Sequence, residues 1–290
     1  MAKRSWALFL AMAVIWGIPY LLIRVAVRQL DSGVLVFWRT GPAGLLMLAL
    51  VAYHRQFRVL LDNLKWIVVF GVIEFGVPWY LMATSEKHIS SSLASLLICC
   101  VPLLAVVAQL IRRTDDPITP RRLMGLGVGA LGVAFLVGLD LSGGSIKWIG
   151  LMLIVCVGYT IGPIILATKL PHVPGYVIVA GATTFVALCW TPWAYVHWPH
   201  HISGETWSCV AVLSLVCTAG AIIVFHELVQ AIGSSRSVVV TYFNTAIAVV
   251  LGIVLLAEPL TAGIIVGFPL VLVGCIFATS KKSEVPSPAG

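Results

Sequence analysis

Charged side chains are scarce in this chain: they make up 10% of its 290 residues, against 60% hydrophobic, and mean hydropathy is +1.05. So little polar surface cannot coat a water-soluble globule of this length, which excludes a large soluble catalytic domain. The seven cysteines (Cys99, Cys100, Cys156, Cys189, Cys209, Cys217, Cys275) include no Cys-x-x-Cys spacing. Zinc and dithiol redox chemistry therefore lack their usual ligand pattern, and the cysteines read as small buried side chains. No Gly-x-x-x-x-Gly-Lys-[Ser/Thr] loop is present to cradle nucleotide phosphates, and no nucleophile, base or metal-ligand set converges as an intramembrane enzyme needs. No enzyme activity and no cofactor are expected.

What remains is a series of long apolar runs, near 5–27, 34–53, 65–84, 90–111, 122–139, 147–168, 175–196, 207–231, 235–257 and 261–279. Crossing a bilayer core takes about 20 apolar residues in a helix, whereas barrel strands would alternate over about ten. The expected fold class is an all-α integral membrane protein of ten spans. Lys3 and Arg4 ahead of the first run resemble the start of a signal peptide, but the run continues through Trp16, Gly17, Pro19 and Arg24 without a small-residue cleavage site. It is read as the first span.

The net charge of +7 collects at span ends rather than along a soluble face, so it points to topology and not to nucleic acid. One side holds Lys3, Arg4, Arg55, Arg58, Lys65, Arg112, Arg113, Arg121, Arg122, Lys169, Arg236, Lys281 and Lys282, and the other Arg28, Lys87 and Lys147. Thirteen basic residues against three place both termini in the cytoplasm of a multi-pass cell (inner) membrane protein.

The chain also repeats itself. A shift of 142 lays Trp6 on Trp148, Ser92 on Ser234, Ser95 on Ser237, Asp116 on Glu258, Pro117 on Pro259, Thr119 on Thr261, Gly125 on Gly267, Gly132 on Gly274 and Phe135 on Phe277. Two five-helix repeats follow, 1–140 and 141–282, with a polar tail at 283–290. Because five is odd, the second repeat enters the membrane inverted, a symmetry suited to alternating access.

Several features together resemble the EamA-type exporters of the drug/metabolite transporter superfamily. These are Trp16-Gly17, Arg39, the run Ser90 to Ser95 leading to Pro102, Gly125, Gly127 and Gly132, and Glu258-Pro259-Leu260-Thr261. The resemblance covers nearly the whole chain and implies a plasma-membrane exporter of amino acids or related metabolites with a cavity between the halves. Two departures stand out. Asp115-Asp116-Pro117 replaces a Glu-x-x-Thr turn in the first half, and Asn244-Thr245 replaces a proline in the second, removing a kink from span nine.

Glu74, in the middle of span three, is the most unusual residue, since a carboxylate at that depth is costly unless paired or wet. It reads either as a proton-coupling or substrate-binding acid or as half of a structural ion pair. Arg39, about 7 to 8 Å inside span two at the helical rise, either reaches Glu74 or a substrate carboxylate, or snorkels to the interface. Arg24 reads as a snorkelling anchor. His226 and Glu227 near the end of span eight form a weak gate or relay candidate beside the plain reading of polar residues at a helix end.

Glu258, with Pro259 at the first helical position and the Thr261 hydroxyl, is expected to serve the free amides of span ten. Gly17-x-Pro19, Gly162-Pro163 and Gly76-x-Pro78 are expected to bend their helices around the cavity, with Trp16, Trp79, Tyr80, Tyr159, Tyr242 and Asn244 available as walls. The stripe Gly125, Gly127, Gly129, Gly132 indicates close helix packing or a homodimer face. His197, His200 and His201 lack an acid in register for a metal site.

The expected function is secondary active export of a small organic metabolite, an amino acid, a related compound or a drug, with protons as the coupling partner. A uniporter or channel, or a non-transporting membrane scaffold, are the alternatives.

Overall fold

The computed structural model describes residues 3–111, 119–139, 146–199, 201–233, 237 and 239–279. Arg112, Arg113, Asp115 to Pro117, His200, Ser234, Arg236, Lys281, Lys282 and the tail from 283 lie outside them. Helices account for almost all described residues, and no strand occurs among them.

The long helices are α1 (Lys3–Ala26), α2 (Ser32–Tyr53), α3 (Leu64–Ser85), α4 (Ser91–Gln109), α5 (Pro120–Leu139), α6 (Ile146–Lys169), α7 (Gly175–Val196), α8 (Gly204–Ile232), α9 (Val240–Leu256) and α10 (Ala262–Thr279). A short turn of helix, Phe57–Asp62, joins α2 to α3. Seven of them, α1 to α4 and α6 to α8, are long and apolar enough to cross a membrane, while α9 and α10 are shorter apolar helices.

Polar caps start the helices where the chain emerges. Asp31 accepts from the Gly33 amide at 2.8 Å, Ser90 from Leu93 at 3.1 Å and Ser203 from Thr206 at 3.2 Å. Thr119 and Thr261, one repeat apart, do the same for Arg122 and Ile264. Pro259 does not start α10. It lies in the joint before Thr261, which is the residue that caps the helix.

Cross-links fix which ends lie together. At the end carrying the N-terminus, here called proximal, Arg4 pairs with Glu227 of α8 and the His54 ring packs on Tyr176. At the distal end Gln29 accepts from the Ser203 amide, and Asp31 accepts from the Trp193 indole. Helices therefore alternate in direction.

The halves interlock. Helix α1 packs with α8 and α9, and its counterpart α6 packs with α3 and α4, so each three-helix bundle takes one helix from one repeat and two from the other. Helices α2 and α7 lie side by side, as do α5 and α10.

At the last pair the glycine stripe is consumed within the chain. A Cβ on Gly132 would meet the Gly267 carbonyl at 2.9 Å, and one on Gly274 would meet the Gly125 carbonyl at 2.8 Å. These two approaches are images of one another under the 142-residue shift, as an inverted two-fold requires. Backbone-to-backbone packing needs glycine at Gly132, Gly267 and Gly274, whereas a Cβ on Gly127 would meet open space.

Two helices are underwound locally, and at matching places. Val72–Gly76 of α3 and Val212–Gly220 of α8 are π-helical, and the shift carries 72–76 onto 214–218. Such bulges disturb the backbone ladder and are frequent at functional sites. In α4 the missing amide of Pro102 leaves a tighter turn, with Cys99 and Cys100 bonding back to Leu96 and Leu97. With Asn244 at the matching position, α9 runs unbroken.

Helices α1 and α6 run on through Gly17-x-Pro19 and Gly162-Pro163 without a break. Their glycines serve close approach. A Cβ on Gly17 would meet the Asn244 carbonyl at 2.8 Å, and one on Gly158 would meet the Ile73 carbonyl at 2.6 Å. Six cysteines are buried, but Cys189 is exposed, contrary to the uniform reading above. Cys156 and Cys275 donate to the carbonyls of Leu97 and Cys99 around the Pro102 turn, helping α6 and α10 to grip α4.

Candidate functional site

Arg39 turns inward. It is 6% exposed, with its guanidinium carbon 3.5 Å above the centroid of the buried Trp79 ring of α3. Its Nε donates to Thr218 Oγ1 of α8 at 3.5 Å, and no carboxylate pairs with it among the described residues. Local backbone chemistry makes this position. Thr218 lies in the π-segment and donates to the Leu213 carbonyl five residues back, and Ser214 of the same segment accepts the Ala43 amide at 3.0 Å beside Pro42. The wide turn of α8 thus holds the opened turn of α2 and presents a hydroxyl to the arginine.

Tyr159 of α6 lies beside this group. The Trp79 indole donates to its hydroxyl, and both Arg39 and Glu74 act on it electrostatically. Glu74, on the π-turn of α3, is half-buried and directs its carboxylate at α6, where a Cβ on Gly162 would collide with it. Its Oε2 has no hydrogen-bond partner among the described residues. Pro78, one turn on, packs its ring against Gly158. Arg39 and Glu74 therefore both act on Tyr159 without pairing with each other, which separates the two residues that sequence reasoning offered as partners.

The other candidates are dispersed. Tyr80 stacks on Trp190 at 4.7 Å, and Trp16 packs on Phe225 at 5.0 Å. Asn244 is buried, accepting from Thr245 Oγ1 on its own helix, and Tyr242 is half-buried two residues closer to the proximal end. His226 and Glu227 do not act as a pair: His226 is exposed, and Glu227 accepts from Arg4 at 2.6 Å. His197 stacks on Trp193 at 4.1 Å.

Sequence reasoning missed the distal seam. Arg24 does not snorkel; its Nη1 donates to the main-chain oxygen of Glu86. Glu86, which ends α3, is wholly buried, and neither carboxylate oxygen has a hydrogen-bond partner among the described residues. Burial pushes this carboxyl well above the ordinary carboxylate range, with Arg24 and Arg39 pulling it down and Glu258 adding to the rise. The stretch Thr-Ser-Glu-Lys-His reads as a wet joint, and nothing in its spacing signals burial.

Glu258 also behaves unexpectedly. Ala257 adopts a left-handed conformation (φ 52) at the end of α9, which turns Glu258 away from α10 and across the seam to α4. There Oε1 accepts from the Ser91 amide at 2.7 Å and hydroxyl at 2.9 Å, and Oε2 from the Ser92 amide at 3.0 Å and hydroxyl at 2.6 Å. The free amides it serves belong to α4, where a negative charge also meets the positive end of the helix dipole.

At the opposite face of Asp31, burial opposes ionisation, but the Trp193 indole, the Gly33 amide and Lys87 outweigh it and hold the carboxyl below its usual value.

Two interlocked inverted repeats of apolar helices, with a buried arginine and a buried acid at their seam, define a helical membrane transporter. The profile of the EamA-like transporter family matches residues 4–138 and 146–280, one match per repeat, so the chain belongs to that family, within the drug/metabolite transporter superfamily. None of the curated proteins matches the sequence at a significant level. A solved crystal structure of a protein superposes with a TM-score of 0.67 over 96% of this chain and 98% of that one, at 15% identity, a likeness of fold.

Proposed function

We propose that the protein crosses the cell membrane ten times with both termini in the cytoplasm and exports a small zwitterionic metabolite, an amino acid or related compound, against inward proton flow. The observation that carries this reading is that Arg39 and Glu74 both lie near Tyr159, each without an ionic partner among the described residues. A planar guanidinium held flat on Trp79 keeps its edge for a carboxylate. The Glu74 carboxylate, whose Oε2 has no partner among the described residues, suits an ammonium group or a proton. The α1–α8–α9 and α6–α3–α4 bundles are the bodies that rock in alternating access, because the packing within each is tighter than within either repeat.

The test is counterflow in proteoliposomes with amino acids, their decarboxylated amines, and cationic drugs, with and without a pH gradient. Saturable counterflow of zwitterions, lost for the amines and accelerated by an opposing proton gradient, supports the proposal. Unsaturable flux indifferent to the gradient replaces it with a channel, and no flux for any compound replaces it with a scaffold.

A further inference from the structure

The distal seam contains a carboxylate that the transport reading leaves unused. Glu86 belongs to the α6–α3–α4 bundle, and the charges facing it come mainly from the other side. They are Arg24 on α1 and Glu258 at the end of α9, with Arg39 on α2, and Tyr20 of α1 lies close by. Beside it Lys87 pairs with Asp31, and His88 stacks on Trp148. Two carboxylates thus act on one another electrostatically where the bundles close. Glu258 has four donors, whereas among the described residues the Glu86 carboxylate has none, and it is wholly buried.

Ionised, Glu86 would be a wholly buried anion whose carboxylate oxygens accept no hydrogen bond among the described residues, and Arg24, which donates to the main-chain oxygen of Glu86, offsets only part of that cost. A proton on either oxygen removes that charge. We propose that Glu86 is a proton-binding site that latches the distal end, protonated while the bundles meet there and releasing its proton to water when they part. Its O–H bond breaks on opening and the proton passes to bulk water or buffer, with no change of oxidation state.

The closed form then holds one proton more than the open form. Closure is favoured at low pH and fades as pH rises past the ordinary Glu value of about 4.3 that the wetted group regains. The closed-to-open ratio falls at most about tenfold per pH unit, the limit for one proton. The inference rests on the alternating-access reading but differs from proton coupling at Glu74, which lies deeper, against Gly162.

The experiment reads the distance between spin labels at Leu260→Cys and Gly150→Cys, in a Cys189→Ser background in lipid nanodiscs from pH 4.5 to 8.5. Leu260 is exposed in the α9–α10 joint, and Gly150 lies at the distal start of α6 with open space around it. The expected result is a longer-distance population that grows with pH in the parent, is absent at every pH in Glu86→Gln, and keeps its pH dependence in Glu86→Asp. An unchanged pH response in Glu86→Gln, with folding verified by its melting curve, overturns the latch. A single distance at all pH values and with every transported compound overturns alternating access itself.

Discussion

Replacing Glu258 by Gln tests the distal seam with a change of one atom. The carboxylate accepts four hydrogen bonds from the first turn of α4, two per oxygen. The amide side chain keeps one acceptor oxygen for Ser91, and the Ser92 hydroxyl can reverse to accept from the new NH2 group. The Ser92 amide cannot reverse, so one charge-assisted bond of about 1.5–3 kcal/mol is lost. The interaction of the charge with the helix terminus, about 0.3–1 kcal/mol, goes with it. Solvent reaching the half-buried site returns part of this, leaving about 2 kcal/mol, or roughly a 30-fold shift toward the open distal end. The label pair at Leu260 and Gly150 measures that shift at a fixed pH. Gly252→Ala is the matched control without a charge change, since its methyl would meet Glu258 Oε2 at 2.5 Å and press on both serine hydroxyls. If both variants leave the distance distribution unaltered, the seam does not hold the bundles together and the reasoning fails.

Other substitutions probe the central group. Arg39→Lys retains the charge but loses the planar stack on Trp79 and the fork, so zwitterion counterflow should fall at least about tenfold while cationic drugs are less affected. Gly162→Ala drives a methyl into the Glu74 carboxylate and should impair proton-driven flux, whereas Gly150→Ala, with nothing near its added carbon, should match the parent. Ala257→Gly relieves the left-handed strain before Glu258 and should raise thermal stability by up to about 1 kcal/mol. Because the Asp31 carboxyl is held below its usual value, its contribution is present above about pH 4 and lost as pH falls through the lowered value. Asp31→Asn should therefore destabilise the protein at neutral pH, by less than about 1 kcal/mol for so exposed a group, and the difference should vanish in acid.

Glu74 and Arg39 were legible because a charge inside an apolar run violates its surroundings, and that violation is written in one dimension. Their lack of mutual pairing was not, since the direction in which α2 and α3 face depends on the π-turns, which no local pattern announces. Glu86 was invisible for the opposite reason. It sits among Ser, Lys and His in what reads as a wet joint, and only the arrival of α1 and the α9–α10 joint buries it. Arg24 and Glu258 were noticed but given local partners, because sequence reasoning supplies neighbours along the chain and both residues act across the seam.

By itself the sequence determined the solvent, the helical class and the inverted repeat, since each follows from hydropathy over about 20 residues or from matches at a constant offset. The tertiary structure decided how the repeats interleave into bundles, which ionisable groups are buried, and which of them meet. Those properties depend on helix rotation and on contacts between segments far apart in the chain, where one added turn or a single left-handed residue such as Ala257 redirects a charge from one helix to another.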